Sequence, residues 1–401
     1  MKMILLSLYT LGVTMKLLTT LGISYGLNDM SVFGPMGGLL LVMGALFGFL
    51  LYPSLVDCKQ AVPFLWLYIW HLIAFICEDL LSLIICSDIM IMIIALGFGF
   101  TSYNPGDLIS SWYFTYYLLI PSAPLLTYAF FSYSDGITNK YVISFCKHTN
   151  SFYYPSALGF LLLLSGLAKL PFMGLHYWLP KAHVQAPTPL SMILAGLSLK
   201  LGLILVLFVV SNFHMNTYLM KLLLLIIFTS LIVTTVSAIT ATDSKVFLAY
   251  CSVAHMTLAG GAVFMLLSGS LWGGWLVALG HCISSPLLFQ TAGLIQGGSG
   301  TRILKKLKYF GFGIVPLTLL IYLLFDMPFP PAFSFWGELY IFGSMFWCFG
   351  FFGSFLLLVP FVMLVRAYEV YYNLWYYTGN KNGTTYIFML GSLLGLGFLI
   401  I

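Results

Sequence analysis

From Leu222 to Thr242 the chain reads "LLLLIIFTSLIVTTVSAITAT" without one charged side chain, and runs of this kind recur from end to end. Roughly 17–25 apolar residues is the helix length that crosses the hydrocarbon of a bilayer. Backbone N–H and C=O groups at that depth must be satisfied within the protein, so only helices and closed β-barrels span. Barrel strands alternate apolar and polar residues over about ten positions, and these runs do not alternate. The expected fold class is all-α, a polytopic transmembrane helical bundle. Charged residues make up 7% of the chain and hydrophobic ones 61%, whereas a soluble domain carries about 25% charged residues. The length criterion places spans at 3–25, 36–56, 61–77, 79–101, 111–133, 154–176, 187–210, 217–239, 244–266, 272–294, 309–349, 350–374 and 384–401, about 13 in all. The start, "MKMILLSLYTLGVTMKLL", has no small-residue cleavage site and further spans follow, so it reads as the first span, or as a half-span tolerating Lys16.

Two intervals are polar. Residues 132–153, "SYSDGITNKYVISFCKHTNSFY", read as a loop, and "QGGSGTRILKKLK" (296–308) carries Arg302, Lys305, Lys306 and Lys308. The positive-inside rule turns the second loop toward the compartment of translation. The net charge of +5 is spread thinly, which suits contact with anionic lipid and excludes a nucleic-acid surface. Seven cysteines (58, 77, 86, 146, 251, 282, 348) form no CxxC pair and sit mostly in apolar runs. They read as packing residues, with no metal or iron–sulfur site expected.

Two elements look interrupted. "GLHYWLPKAHVQAPTP" (174–189) has Pro180, Pro187 and Pro189, and "FDMPFPPAFSFWGEL" (325–339) has Pro328, Pro330 and Pro331. Proline removes an amide donor, and the carbonyls freed at membrane depth are tolerated only against protein or a wet cavity. Paired broken helices in the two halves of a chain point to transport sites in repeated units, although two ordinary proline kinks would give the same pattern.

Charged residues inside the runs are the second constraint. Lys169 lies in "FLLLLSGLAKLPFMGL" and Lys200 in "MILAGLSLKLGLILVLF". A lysine at a helix centre costs about 2.5–3.5 kcal/mol on insertion, so it needs a partner, water or a function. Glu338 follows the second break, and Glu78, Asp79 and Asp88 lie in "FICEDLLSLIICSDIMIMII". Asp79, near a helix start, reads as an N-terminal cap. His255 and His281 each lie within a span beside serines; imidazole carries protons near neutral pH, and a structural hydrogen bond is the alternative. His71 has no such company and reads as structural. Amines, acids and imidazoles spread along consecutive helices have the layout of a proton path. A GxGxxG turn, a GxxxxGK[ST] loop and a soluble nucleotide-binding domain are all lacking, so the energy must come from an ion gradient or from neighbouring subunits.

"AKLPFMGLHYWLPKAHVQAPTPLSMILAGLSLKLG", "TDSKVFLAYCSVAHM", "GHCISSPLLFQTAGL" and "MPFPPAFSFWGEL", in this order, resemble the antiporter-like membrane-arm subunits of respiratory complex I, of the chain 4 or bacterial M-subunit kind, and the wider Mrp-type cation/proton antiporter family. The resemblance covers roughly residues 79–375, and the spacing of the two lysines agrees with it. It implies two inverted repeats, each containing a broken helix: a first antiporter-like half at 61–215 and a second at 216–349, between N-terminal helices at 1–60, about one span short of the family plan, and C-terminal helices at 350–401.

The resemblance further implies that Lys169 is the first-half lysine paired with an acid, Lys200 the central connecting lysine and Glu338 the terminal acid. His255 and His281 match relay histidines, and Lys245 a lysine near a helix start. The acid falls best on Asp88, one methylene shorter than the family's glutamate and without the usual following proline. Glu78 is the rival, ten residues earlier and about 15 Å away along a helix.

The implied function is proton translocation coupled to electron transfer from NADH to ubiquinone in other subunits, in the mitochondrial inner membrane or a bacterial plasma membrane. The chain itself would carry no redox chemistry, with NADH, FMN, iron–sulfur clusters and ubiquinone on partner subunits. Neighbouring antiporter-like subunits, phospholipids such as cardiolipin and protons are the expected partners. A stand-alone or Mrp-type Na⁺/H⁺ antiporter subunit and a membrane scaffold are the alternatives. The NGT sequon at Asn382 is expected to be unused.

Overall fold

The computed structural model describes residues 66–67, 69–71, 73–75, 77, 79–101, 105–134, 156–172, 174–212, 217–265, 267–304, 314–327, 330 and 332–349. The expected spans at 3–25, 36–56, 350–374 and 384–401, most of 61–77, and Glu78 and Asn382 lie outside the described residues.

The described chain is helical: α1 (Leu80–Thr101), α2 (Pro105–Ser134), α3 (Ser156–Lys169), α4 (Trp178–Gln185), α5 (Thr188–Ile193), a π-helical turn (Leu194–Ser198), α6 (Leu199–Asn212), α7 (Thr217–Thr240), α8 (Ser244–Phe264), α9 (Ser268–Ser299), α10 (Ile314–Asp326) and α11 (Phe333–Phe349). Among the described residues, six stretches are long and apolar enough to cross a membrane: Leu80–Phe98, Leu108–Ser134, Thr188–Val210, Tyr218–Thr240, Ser244–Phe264 and Ser268–Ser299. All six overlap runs read as spans from the sequence.

The run 154–176 differs. Its helix stops at Lys169, after a last α-helical bond from Leu170 N to Gly166 O. Pro171 has no N–H to offer and disfavours the helical region for the residue before it, and Gly174 then adopts φ 88°, a conformation open to glycine. The run 309–349 divides into α10 and α11, as the prolines at 328, 330 and 331 require.

Two compact units divide inside α7, Met1–Leu224 and Leu225–Ile401. In the first, α2 packs against α1, α3 and α4, and α3 packs against α6. The α3–α6 approach depends on glycine: a Cβ on Gly166 would stand 2.5 Å from Val206 Cγ2, and one on Gly202 would stand 2.9 Å from Lys169 Cβ. Small residues at crossings let membrane helices approach to backbone distance. In the second unit α9 is the centre, with α8, α10 and α11 packed around it. It ends at Gly300, whose φ of 69° turns the chain while its N–H closes on Gln296 O.

Candidate functional site

The first unit places Lys169 at the end of α3, where the helix breaks. Its Nζ lies 3.2 Å from Asp88 Oδ1 on α1 and donates to Ser87 Oγ at 2.6 Å. Ser122 Oγ on α2 donates to the other carboxylate oxygen, Asp88 Oδ2, at 3.0 Å. Among the described residues, Asp88 is therefore the acid that faces Lys169, and the amine–carboxylate pair is set among apolar side chains with two hydroxyls in attendance. Three sequence facts build it. The cation belongs at a helix C-terminus, where free carbonyls point. The missing N–H of Pro171 and the turn beyond it leave α3 unsatisfied at its end, and Trp178 Nε1 of α4 reaches back to Ala168 O at 3.0 Å. Trp178 is held in turn edge-on by Phe114, with ring centroids 5.4 Å apart. Trp178→Phe keeps the ring contact and removes the cap, so it is expected to destabilise the assembled protein by about 1 kcal/mol. An earlier thermal transition would show this; an unchanged one would mean that the indole cap is dispensable.

A cavity of about 20 Å³ adjoins Lys169, bordered by Ser87, Phe114, Trp178, Leu194 and Ser198, and is large enough for a single water. Leu194 and Ser198 of the π-helical turn form part of its wall. A π turn carries one residue more than an α turn and displaces the carbonyls around it. Here Ser198 Oγ takes Leu194 O at 2.6 Å, and Lys200 Nζ takes Ala195 O at 2.8 Å. Lys200 is fully buried, and its ammonium is thus received by its own helix.

The second unit gathers His255 of α8, His281 and Ser284 of α9, Asp326 at the end of α10 and Glu338 of α11. Nε2 of His255 is 3.5 Å from Asp326 Oδ2, and Nδ1 is 3.6 Å from Glu338 Oε1. One imidazole thus stands between two carboxylates, an ion pair with each when it is protonated. Ser284 Oγ donates to Asp326 Oδ1. The His281 ring lies 5.9 Å from that of His255, tilted by 47°. All five residues are buried, and Oε2 of Glu338 has no hydrogen-bond partner among the described residues.

The remaining sequence candidates fall elsewhere. Lys245 is buried at the start of α8, ten residues and about 15 Å along the helix from His255. There the chain after α9 pairs with the α8 entry, through Ser244 N to Arg302 O at 3.0 Å and Leu304 N to Thr242 O at 2.8 Å. Asp79 immediately precedes α1, and its carbonyl accepts the N–H of Leu83 at 3.1 Å. His71 Nδ1 lies 2.7 Å from Leu67 O, a local helix contact. Sequence reasoning passed over Asp326 and the serines at 87, 122 and 284. For Asp326 a signal was available: it stands two residues before Pro328, as Lys169 stands two before Pro171.

The family model described as NADH:quinone oxidoreductase/Mrp antiporter, TM, matches residues 77–366. NADH-ubiquinone oxidoreductase chain 4 of Ascaris suum is 32% identical over 312 residues, which cover 75% of this chain and 68% of that protein. Chain 4 of Arbacia lixula is 33% identical over 59% of this chain, and the match spans 53% of that relative's length. Among solved structures, a chain of respiratory complex I from Thermus thermophilus with bound NADH superposes with a TM-score of 0.78 at 19% identity, over 90% of this chain and 79% of its own. A chain of the Mrp complex from Dietzia sp. gives 0.74 at 15% identity, over 87% and 67%.

Proposed function

This chain belongs to the NADH:quinone oxidoreductase/Mrp antiporter family of transmembrane subunits, and from that premise we propose that it is a proton-translocating membrane subunit of a respiratory NADH:quinone oxidoreductase. The observation that carries the reading is the Lys169–Asp88 pair, 3.2 Å apart at the broken end of α3. A buried amine and a carboxylate in contact through exchangeable donors can pass a proton when the field around them changes, because each charge is stabilised mainly by the other. Lys200, held by the π turn, is the other buried lysine among the described residues of the same unit. The His255–Asp326–Glu338 cluster is the second station. Two inverted repeats within a plan of about 13 spans would account for the recurrence of a charged break.

Electrons, on this reading, move in other subunits, which carry NADH, FMN, iron–sulfur clusters and ubiquinone. Neighbouring antiporter-like subunits and phospholipids such as cardiolipin would surround this chain in a mitochondrial inner membrane. The names of the animal relatives support that location.

Proton uptake per NADH oxidised, measured in vesicles holding the assembled complex, tests the assignment. Glu338→Gln is expected to lower that yield while the complex still assembles. An undiminished yield would remove Glu338 from the path. The likeness to the Mrp complex keeps a second reading in view, a subunit of a cation/proton antiporter. Native electrophoresis with an in-gel NADH dehydrogenase stain separates the two: the chain migrates with a large NADH-active complex in the first case and without that activity in the second.

A further inference from the structure

Glu338 is not the residue of the second unit that stands where Lys169 stands in the first. α10 ends at Asp326 as α3 ends at Lys169, and "DMPF" (326–329) answers "KLPF" (169–172). The carbonyl one residue before each charge is held by a side chain from beyond the break, Ala168 O by Trp178 Nε1 at 3.0 Å and Phe325 O by Ser334 Oγ at 2.9 Å. A serine hydroxyl meets each charge, Ser87 at the amine and Ser284 at the carboxylate. The two sites differ in sign, and the sign matters. A cation suits a helix C-terminus and an anion does not. Asp326 as an anion therefore depends on the donors turned toward it, the Ser284 hydroxyl and Nε2 of His255.

Resting on the proton-path reading above, we propose that Asp326 is a positioning residue that fixes His255 with Nε2 toward itself, so that proton exchange with Glu338 runs through Nδ1 alone. Both oxygens of Asp326 are engaged, Oδ1 by Ser284 and Oδ2 by His255. Glu338 has one oxygen facing Nδ1 and the other, Oε2, buried with no hydrogen-bond partner among the described residues. The carboxylate with both oxygens engaged anchors, and the carboxylate with an unpartnered oxygen exchanges. In the transfer step the Nδ1–H bond of the imidazolium breaks and an O–H bond forms on Glu338 Oε1. The ring is left neutral with its remaining proton on Nε2, facing Asp326. Charge is conserved, since imidazolium and carboxylate become imidazole and carboxylic acid while Asp326 stays ionised. The ring regains its proton at Nδ1 by the reverse transfer from Glu338 Oε1, with no rotation. This is the role the buried aspartate plays toward histidine in a serine-protease triad, holding tautomer and orientation without itself taking the proton.

Asp326→Asn tests it in the assembled complex. The amide keeps the shape: its oxygen takes the Ser284 hydroxyl and its NH₂ faces Nε2. A neutral ring is then stabilised as the opposite tautomer, with Nδ1 already carrying hydrogen and unable to accept. Proton uptake per NADH is expected to fall to the level of Glu338→Gln, and the carboxylic-acid infrared band that Glu338→Gln removes is expected to be absent during turnover of Asp326→Asn as well. Ser284→Ala, which keeps every charge and only loosens the anchor, should give an intermediate yield, and it carries the test if the asparagine variant does not assemble. Wild-type yield in Asp326→Asn or in Ser284→Ala, with Glu338→Gln impaired, overturns the positioning role. Wild-type yield in Glu338→Gln overturns the proton-path reading on which it rests.

Discussion

Asp88→Leu is expected to leave little of this chain in an assembled complex, and adding Lys169→Met to it is expected to restore assembly without restoring proton pumping. The side chains of Lys169 and Asp88 are 5% and 18% exposed, so the amine has little water to fall back on. Breaking a buried pair by removing one partner costs about 3–5 kcal/mol, because the other charge is left uncompensated, whereas replacing both partners by apolar groups is often neutral. A cost of that size rivals the roughly 5–15 kcal/mol by which proteins are stable at all. Native electrophoresis with an NADH stain reads the assembly, and proton uptake by sealed vesicles reads the function. The double variant separates the two roles of the pair: if it assembles and pumps normally, the pair only holds helices together and the proposed function falls.

The second large effect is expected from one methyl group on α11. A Cβ on Gly337 would stand 2.7 Å from both Gly273 O and Val277 N of α9. Backbone atoms cannot turn aside as a side chain can, so α11 would have to leave α9, taking Glu338 with it. Overpacking of this kind typically costs 1–3 kcal/mol, and more where nothing can give. Gly343, on the same helix, has nothing within 4 Å of the same added atom, and alanine there is favoured by roughly 1 kcal/mol of helix propensity. Gly337→Ala should therefore deplete the assembled complex and Gly343→Ala should not. Equal abundance of the two variants would contradict the close α9–α11 crossing.

What could be read from the sequence follows from what hydrocarbon penalises. Lys169, Lys200, Glu338, His255 and His281 stand out because each interrupts an apolar run, and they fall where the two units are broken or buried. Asp88 could be preferred to Glu78 only by resemblance, since its pairing with Lys169 bridges 81 residues and no local pattern encodes that. Asp326 escaped notice because it borders a proline-rich stretch and so resembles an ordinary chain turn. The end of α3 was overrun because leucines and phenylalanines continue past it, and composition does not register the amide that Pro171 lacks. The π turn at 194–198 has no signature in "LAGLS", although Lys200 donates to its Ala195 O.

Among the described spans, that turn lies within the most shielded, since 94% of the apolar core of Thr188–Val210 is buried. During biogenesis none of that shielding exists yet: the segment meets lipid before its neighbours have arrived, with Lys200 in its middle. On the insertion scale the lysine disfavours entry by about 2.5–3.5 kcal/mol, and each leucine, isoleucine, valine or phenylalanine at the centre favours it by roughly 0.3–0.6. The leucines at 199, 201, 203, 205 and 207, with Ile204, Val206, Phe208, Val209 and Val210, are enough to tip that balance. The apolar density around Lys200 therefore serves the nascent helix as well as the finished core, and thinning it with polar residues would be felt first as failed insertion, before any proton had been moved.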